Sequence, residues 1–340
     1  MLEMKTISVI IPVFRVEKYI SAALESVLAQ TYKQIEILVV DDGSPDRSVE
    51  ICQQFTDSRI KIISQTNRGL AGARNTGIRH AEGDYIALLD GDDMWLPNKL
   101  EKHIAHLESS PNVGVSFSRS ALTDEAGNLS GTYLMPKLQD ITPPDVLCDN
   151  PVGNGSSAVI RKEVFEAIQF QDNLYGKVED FYFDEHFRQA EDVECWLRIL
   201  IQTNWQIEGI PEALTLYRVN SGGLSASLFK QLESLQKVIE KTRSYAPELI
   251  AKWENPAKAY HLRYLARSAV RLQSGSTAVK LINSALVTYP QLVFEQSRRT
   301  IMILVAAYLL WLLPRSIYHP IDTIVTKVTG VAQRRGIYKD

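Results

Sequence analysis

Apolar residues recur along this chain in two alternating periods. Ile7, Val9, Ile10 and Ile11 form a short run ended by Pro12, sized for a buried strand. Val16, Ile20, Ala23, Leu24, Val27 and Leu28 then fall at helical spacing, which predicts an amphipathic helix over residues 17–30. The alternation continues with a strand at 35–40, broken by Asp41-Asp42-Gly43-Ser44-Pro45, and a helix at 48–55. A strand at 60–63, a helix rich in small residues at 69–81 and a strand at 85–89 follow. A helix over 98–108 and a strand over 113–118 complete the series. Near-continuous apolar strands separated by helices predict an α/β fold whose mostly parallel central sheet is covered on both faces. Ligands of such sheets bind beyond the carboxyl ends of the strands. Pro12, Asp41-Asp42 and Asp90-Gly91-Asp92-Asp93 all sit at such ends, so they are expected to face one crevice.

After Arg218 the pattern changes. Ser221-Gly222-Gly223 reads as a flexible break, and from about Leu228 the spacing is helical throughout. Residues 259–273 and 277–287 read as an antiparallel helix pair. Residues 301–313 are thirteen uninterrupted apolar positions. A helix of that length spans roughly 20 Å, short of the ~30 Å hydrocarbon core. Two readings stand for it: a helix packed on its C-terminal neighbours, or a peripheral membrane contact. The expected organisation is one domain over 1–222 and a C-terminal α-helical region over 223–340.

Charge adds to the second reading of that segment. The whole chain carries 37 Lys+Arg against 40 Asp+Glu, a net −3, so it shows no nucleic-acid footprint. Residues 291–340 hold seven Lys/Arg and three Asp/Glu, a local +4 that suits an anionic membrane surface. Cys52, Cys148 and Cys195 are scattered and form no CxxC pair, which fits a reducing compartment. Residues 1–5 run straight into the first strand, so no signal peptide is expected. These features together point to a cytoplasmic protein, at the inner face of the cell membrane if the tail docks there.

The chemistry concentrates in carboxylates. Asp90, Asp92 and Asp93 fall within four residues and repel one another. A hard divalent cation, Mg²⁺ or Mn²⁺, relieves that repulsion and leaves positions open for substrate phosphates. Asp93 and Pro97 would also suit the start of a helix. Residues 171–192 hold seven acids and two bases interleaved with Tyr175, Phe181, Tyr182, Phe183 and Phe187. They read either as a platform for a sugar, with rings on its faces and acids taking hydroxyl protons, or as a solvated loop anchored by its aromatics.

Five motifs in order resemble family 2 glycosyltransferases of the GT-A fold. They are Ser8-Val9-Ile10-Ile11-Pro12-Val13-Phe14, then Val39-Val40-Asp41-Asp42-Gly43-Ser44, then Asn67-Arg68-Gly69 with Ala73-Arg74-Asn75-Thr76-Gly77. Leu89-Asp90-Gly91-Asp92-Asp93 with Pro97 follows, and Glu191-Asp192 with Trp196-Leu197-Arg198 and Tyr217-Arg218 closes the set. The resemblance covers residues 7–218 and departs at Arg15, where the family often has Asn. It implies that Pro12, Val13, Phe14, Glu17, Asp42, Gly69, Arg74 and Asp90 line the nucleotide. Asp42 would accept the N3–H of uracil, though Asp41-Asp42-Gly43-Ser44 alone also makes an Asx turn. The resemblance makes Asp92, with Asp90, the ligands of a divalent metal. Arg74 would meet the diphosphate or form an ion pair with Asp42 or Asp90.

The resemblance also makes Asp192 the base that deprotonates the acceptor, with Glu191 beside it. Acids in a first helical turn are equally what the helix dipole favours. The expected activity is inverting, metal-dependent transfer of a sugar from a nucleotide diphosphate, with UDP the expected carrier. The acceptor would be a carbohydrate or lipid-linked, as in cell-envelope or exopolysaccharide synthesis. The reading of another class is a non-catalytic nucleotide-sugar-binding scaffold. A nucleotidyltransferase or dinucleotide dehydrogenase would need a Gly-rich loop after the first strand, and Val13-Phe14-Arg15-Val16-Glu17 lacks one.

Overall fold

The structure is a computed structural model that describes residues 5–220 and 228–337. The chain divides into two compact units. One comprises residues 1–141, 151–220 and 333–340; the other comprises 142–150 and 221–332. The Ser221-Gly222-Gly223 break and the boundary expected at 222 lie outside the described residues.

The first unit opens with β1 (Ile7–Val13), α1 (Ile20–Leu28), β2 (Ile35–Asp41), α2 (Ser48–Gln53), β3 (Ile60–Ser64), α3 (Gly69–His80) and β4 (Tyr85–Leu88). It continues through β5 (Met94–Trp95), α4 (Lys99–Ser109), β6 (Val113–Thr123) and β7 (Leu129–Leu134). After α5 (Pro143–Asp149), which belongs to the second unit, come β8 (Ala158–Arg161), α6 (Lys162–Ile168), β9 (Phe170–Asp172), β10 (Glu179–Phe181), α7 (Glu191–Gln202) and β11 (Gln206–Arg218). The sheet runs β3-β2-β1-β4-β8-β6-β11-β5, with β7 on β6. Among the described strands of this sheet, β1 to β4, β6 and β11 share one direction, and β5, β7 and β8 oppose it. The mostly parallel central sheet is therefore present, with β8 inserted antiparallel between β4 and β6.

Every residue of β1 is buried, and α1 lays Ile20, Ala23, Leu24 and Val27 against the sheet. Each buried Ile, Leu or Val among them contributes about 1.5–3 kcal/mol by leaving water. The helix begins at Ile20 rather than at 17, because residues 14–19 turn first. Arg15 takes a left-handed φ of +56°, a conformation that Asn tolerates better than other non-glycine residues. The helix expected from residue 98 begins at Lys99, with Asn98 as its N-cap. The three cysteines are free thiols.

The second unit contains α8 (Leu228–Tyr245), α9 (Pro247–Arg271), α10 (Gly275–Thr288), α11 (Leu292–Glu295), α12 (Ser297–Leu312) and the greater part of α13 (Arg315–Ile337). The expected helix pair is α9 with α10, but α9 begins twelve residues earlier than the periodicity suggested. Pro247 sits in its first turn, where a missing N–H costs nothing. Small residues set the packing. Ala266, Ala269, Ala278, Ile282 and Ala307 form one buried cluster, joined by Ile303 and Leu304 of α12. The core-helix reading of residues 301–313 holds for one face of α12. That face of α12 is core, whereas Ile301, Met302, Val305, Trp311 and Leu312 are exposed. Among the described residues no helix is long and apolar enough to cross a membrane.

Candidate active site

The strand ends do present the expected motifs. Val13 pairs with Asp41 across β1 and β2, and the loop after β4 runs beside β1, bringing Gly91 close to the Pro12 carbonyl. Pro12 and Val13 are buried, and only Phe14 shows its ring to solvent. Glu17 accepts the Arg47 amide at 3.0 Å and so ties the turn after β1 to the start of α2.

Asp42 is deeply buried and already well supplied with donors. Its Oδ1 accepts from Gln65 Nε2 (2.7 Å) and the Arg68 amide (2.7 Å), and its Oδ2 from the Gly69 amide (2.8 Å). A carboxylate offers about four acceptor positions, so roughly one remains. Burial raises its pKa, against the lowering effect of those hydrogen bonds. Asp42 thus anchors the N-terminus of α3 from outside the helix. Gly69 has φ +78°, and a Cβ there would lie 2.3 Å from Arg188 Nη1, so the guanidinium rests on the glycine.

The acid loop is less uniform than its sequence. Asp93 turns inward, is 1% exposed, and accepts from Ser156 Oγ (2.6 Å) and the Arg218 amide (2.9 Å). It is a structural acceptor, and after burial the charges of Asp92 and Asp90 raise its pKa, so all three acids do repel one another. Asp92 Oδ2 accepts from Asn220 Nδ2 at 2.9 Å, and Arg218 Nε donates to the Asp92 carbonyl at 2.7 Å. Burial and then the charge of Asp90 push Asp92 up to about 6. Asp90 Oδ1 accepts from Arg74 Nη2 at 2.8 Å.

Arg74 is the joint of the site. Its guanidinium is nearly inaccessible and bridges Asp90 to Glu191, whose Oε1 accepts from Nη1 at 2.8 Å. Of the two ion pairs foreseen for it, the structure makes the one with Asp90, adds Glu191, and leaves Asp42 to other donors. Glu191 and Asp192 open α7, as the spacing implied, and the Asp192 charge also acts on Arg74. Burial pushes the Glu191 carboxyl up to about 7; Arg74 opposes this and Asp192 reinforces it. Glu191 is buried, while Asp192 is only partly buried.

Ala190, which precedes them, has φ +61°. A left-handed residue with a Cβ costs about 1–2 kcal/mol, part of which glycine returns as chain entropy. Ala190→Gly is expected to raise unfolding stability by about 0.5–1 kcal/mol. A urea titration showing no gain, or a loss, refutes the strain.

Three contributors escaped the sequence reading. Ser156 donates to Asp93 and accepts the Asp90 amide at 3.0 Å, so one hydroxyl sets two positions of the acid loop. Gly155 admits Arg74, since a Cβ there would meet Nη2 at 2.3 Å. Arg188 was counted only as a base within an acidic stretch. The available signal was Asn154-Gly155-Ser156-Ser157, small polar residues before an apolar strand, which reads as an ordinary turn. The aromatics of 171–192 are mostly anchors: Phe181, Phe183 and Phe187 are buried, and Phe183 packs edge-on to Trp196. Tyr175 is exposed, lies 3.9 Å from the Arg68 guanidinium, and donates to Glu185 at 2.8 Å.

Among the described residues no three acids, histidines or cysteines form a closed metal cage. Asp90 and Asp92 still fit a divalent ion. They are hard oxygen donors whose charges oppose each other, with Arg74 on Oδ1 of Asp90 and Asn220 on Oδ2 of Asp92. Ions bound by one or two carboxylates complete their shell with water and substrate phosphate.

The family model of glycosyl transferase family 2 matches residues 8–169. An Escherichia coli relative, the UDP-Glc:alpha-D-GlcNAc-diphosphoundecaprenol beta-1,3-glucosyltransferase WfgD, is 31% identical over 228 residues, covering 67% of this chain and 82% of the relative. The chain belongs to glycosyl transferase family 2. Another relative, the uncharacterized glycosyltransferase EpsJ of Bacillus subtilis, is 32% identical over 247 residues, 68% of this chain and 67% of its own. Two solved structures share the fold. The mannosyltransferase PcManGT of Pyrobaculum calidifontis, in complex with GDP-Man and Mn²⁺, aligns with a TM-score of 0.56 at 19% identity, over 91% of this chain and 87% of that one. TarS of S. aureus with UDP-GlcNAc aligns at 0.53 and 18%, over 86% and 92%. This family 2 member is a glycosyltransferase, which removes the scaffold reading.

Proposed function

We propose that this glycosyltransferase moves a sugar from a UDP-sugar, with inversion and with help from a divalent cation, onto a carbohydrate or lipid-linked acceptor in cell-envelope or exopolysaccharide assembly. The Arg74 bridge carries the reading: it fixes the acid loop, on the donor side, to the first turn of α7, on the acceptor side. The proposed roles divide between the two arms. Phe14, Asp42 and the turn around Glu17 frame the nucleotide, with Pro12, Val13 and Gly69 supplying backbone. Asp92, with Asp90 beside it, would hold Mg²⁺ or Mn²⁺; bound there, the ion supplies charge neutralisation to the departing diphosphate. Asp192 receives the proton of the acceptor hydroxyl as its oxygen attacks the anomeric carbon from the face opposite the diphosphate. Glu191 and Arg74 hold the helix that carries Asp192.

The uridine choice and the lipid-linked acceptor are supported by the E. coli relative, whose name specifies UDP-Glc and a diphosphoundecaprenol substrate. The division of labour proposed is catalysis over 1–222 and support by the helices of 223–340, at the cytoplasmic face of the membrane. Screening the purified protein against a panel of nucleotide sugars for diphosphate release tests the whole reading. UDP release that requires an acceptor is expected; release of GDP alone would overturn the uridine assignment.

The metal has its own test. Calorimetric titration should show UDP binding strengthened by Mn²⁺ or Mg²⁺, weakened by EDTA, and unresponsive to either in Asp92→Ala. Equal affinity with and without EDTA refutes the role of Asp90 and Asp92.

A further inference from the structure

α13 carries an apolar stripe left open by the described residues. Ile317, Ile321, Ile324, Val325, Val328 and Val331 are each 38–64% exposed. At 3.6 residues per turn they fall within an arc of about 120°. Tyr318 and Gly330 are buried and seat the helix, while residues 323–328 are exposed all round. Lys327 borders the stripe, Arg334 and Arg335 follow it in sequence, and Arg298 and Arg299 begin α12.

The composition selects the occupant. A protein interface of this size concentrates its energy in Trp, Tyr or Arg anchors, and this stripe holds only Ile and Val. A second copy would bring the same excess of positive charge against it, seven Lys/Arg to three Asp/Glu over residues 291–340. An anionic bilayer asks only for apolar area and flanking cations. Trp311 and Leu312, both more than half exposed at the end of α12, supply the aromatic and aliphatic contacts common at such boundaries.

We infer that α13 docks this protein on an anionic bilayer, lying in the plane of the headgroups with Ile317, Ile321, Ile324 and Val328 turned into the acyl boundary. This deepens the proposed function, on which its purpose rests, and moves the contact from residues 301–313 to the helix that follows them.

Co-sedimentation of the whole protein with vesicles tests it. Binding is expected to equimolar phosphatidylcholine and phosphatidylglycerol, to fade with added salt, and to be absent with phosphatidylcholine alone. Ile324→Glu with Val328→Glu should weaken it by about tenfold or more, with an unchanged thermal melt, because both positions are exposed. Lys327→Glu should weaken it at low salt only. Binding that survives the double substitution overturns the assignment, as does no binding by the wild type. A dimer in sedimentation velocity that the double substitution abolishes would give the stripe to a second copy. UDP calorimetry without vesicles on the same proteins keeps this separate: its loss in the wild type would refute the proposed function and not the docking.

Discussion

Asp192→Asn is expected to bind UDP-sugar normally and to transfer sugar about 10²–10⁴-fold more slowly, the contribution of a positioned base. The substitution keeps shape and hydrogen-bonding capacity and removes only the proton acceptor. Two carboxylates compete for the role, and their properties point in opposite directions. Glu191, pushed up to about 7, has the better-matched basicity. Its carboxylate, however, is buried and paired with Arg74 at 2.8 Å. Asp192, in the same helical turn, is only partly buried, and an acceptor hydroxyl must reach its base. Access decides for Asp192. Single-turnover transfer alongside calorimetry separates the steps. Transfer above a tenth of wild type moves the base elsewhere, with Glu191 next in line.

Arg74→Met is expected to cost about 3–5 kcal/mol of unfolding free energy, the usual penalty for stranding a buried charge. The Glu191 arm dominates, because that side chain is 6% exposed, whereas Asp90 at 24% recovers part of its loss from water. Adding Glu191→Gln should return a measurable share, since the stranded charge is then gone. Arg74→Lys should not rescue, because a single ammonium cannot replace a planar fork that reaches two carboxylates. Urea titration of the two single variants and the double variant gives the coupling. A loss for Arg74→Met below about 1 kcal/mol would show that the bridge is not structural.

The sheet was readable because its strands are nearly uninterrupted apolar runs, as in β1 and β2, and because Asp and Gly end them sharply. The C-terminal ends of those strands then followed from topology. The antiparallel insertion of β8 was not readable, since four residues of Ala-Val-Ile-Arg carry no direction. Asp42, Asp90, Asp92 and Glu191 were singled out by type and order, and of their partners only Arg74 beside Asp90 was foreseen. Nothing in a linear string says that Asp93 turns inward or that Ser156 receives it, because both facts depend on which loop β8 brings alongside. The aromatics of 171–192 were divisible into anchors and exposed rings only once α7 supplied Trp196 to pack against. Helix α9 was underestimated at its start because Pro256 sits inside it.

The inward turn of Asp93 also bears on how the chain is made. Its partners lie 63 and 125 residues downstream, at Ser156 and Arg218. At about 5–20 residues per second, the ribosome takes roughly 6–25 s to deliver the second of them. Until then Arg74 can already donate to Asp90 and Ser156 to Asp93, but the Arg218 amide is missing, even though β4 already has β1 to pair with. The strand that completes the loop, β11, inserts between β6 and β5, so closure waits for a long-range step of the slow kind. Nascent fragments ending before Arg218 therefore carry every acid of the donor side, with the donors of Asp42 and Asp90 already made and those of Asp93 incomplete. The inward seat of Asp93 is thus among the last contacts that synthesis of residues 1–220 makes possible.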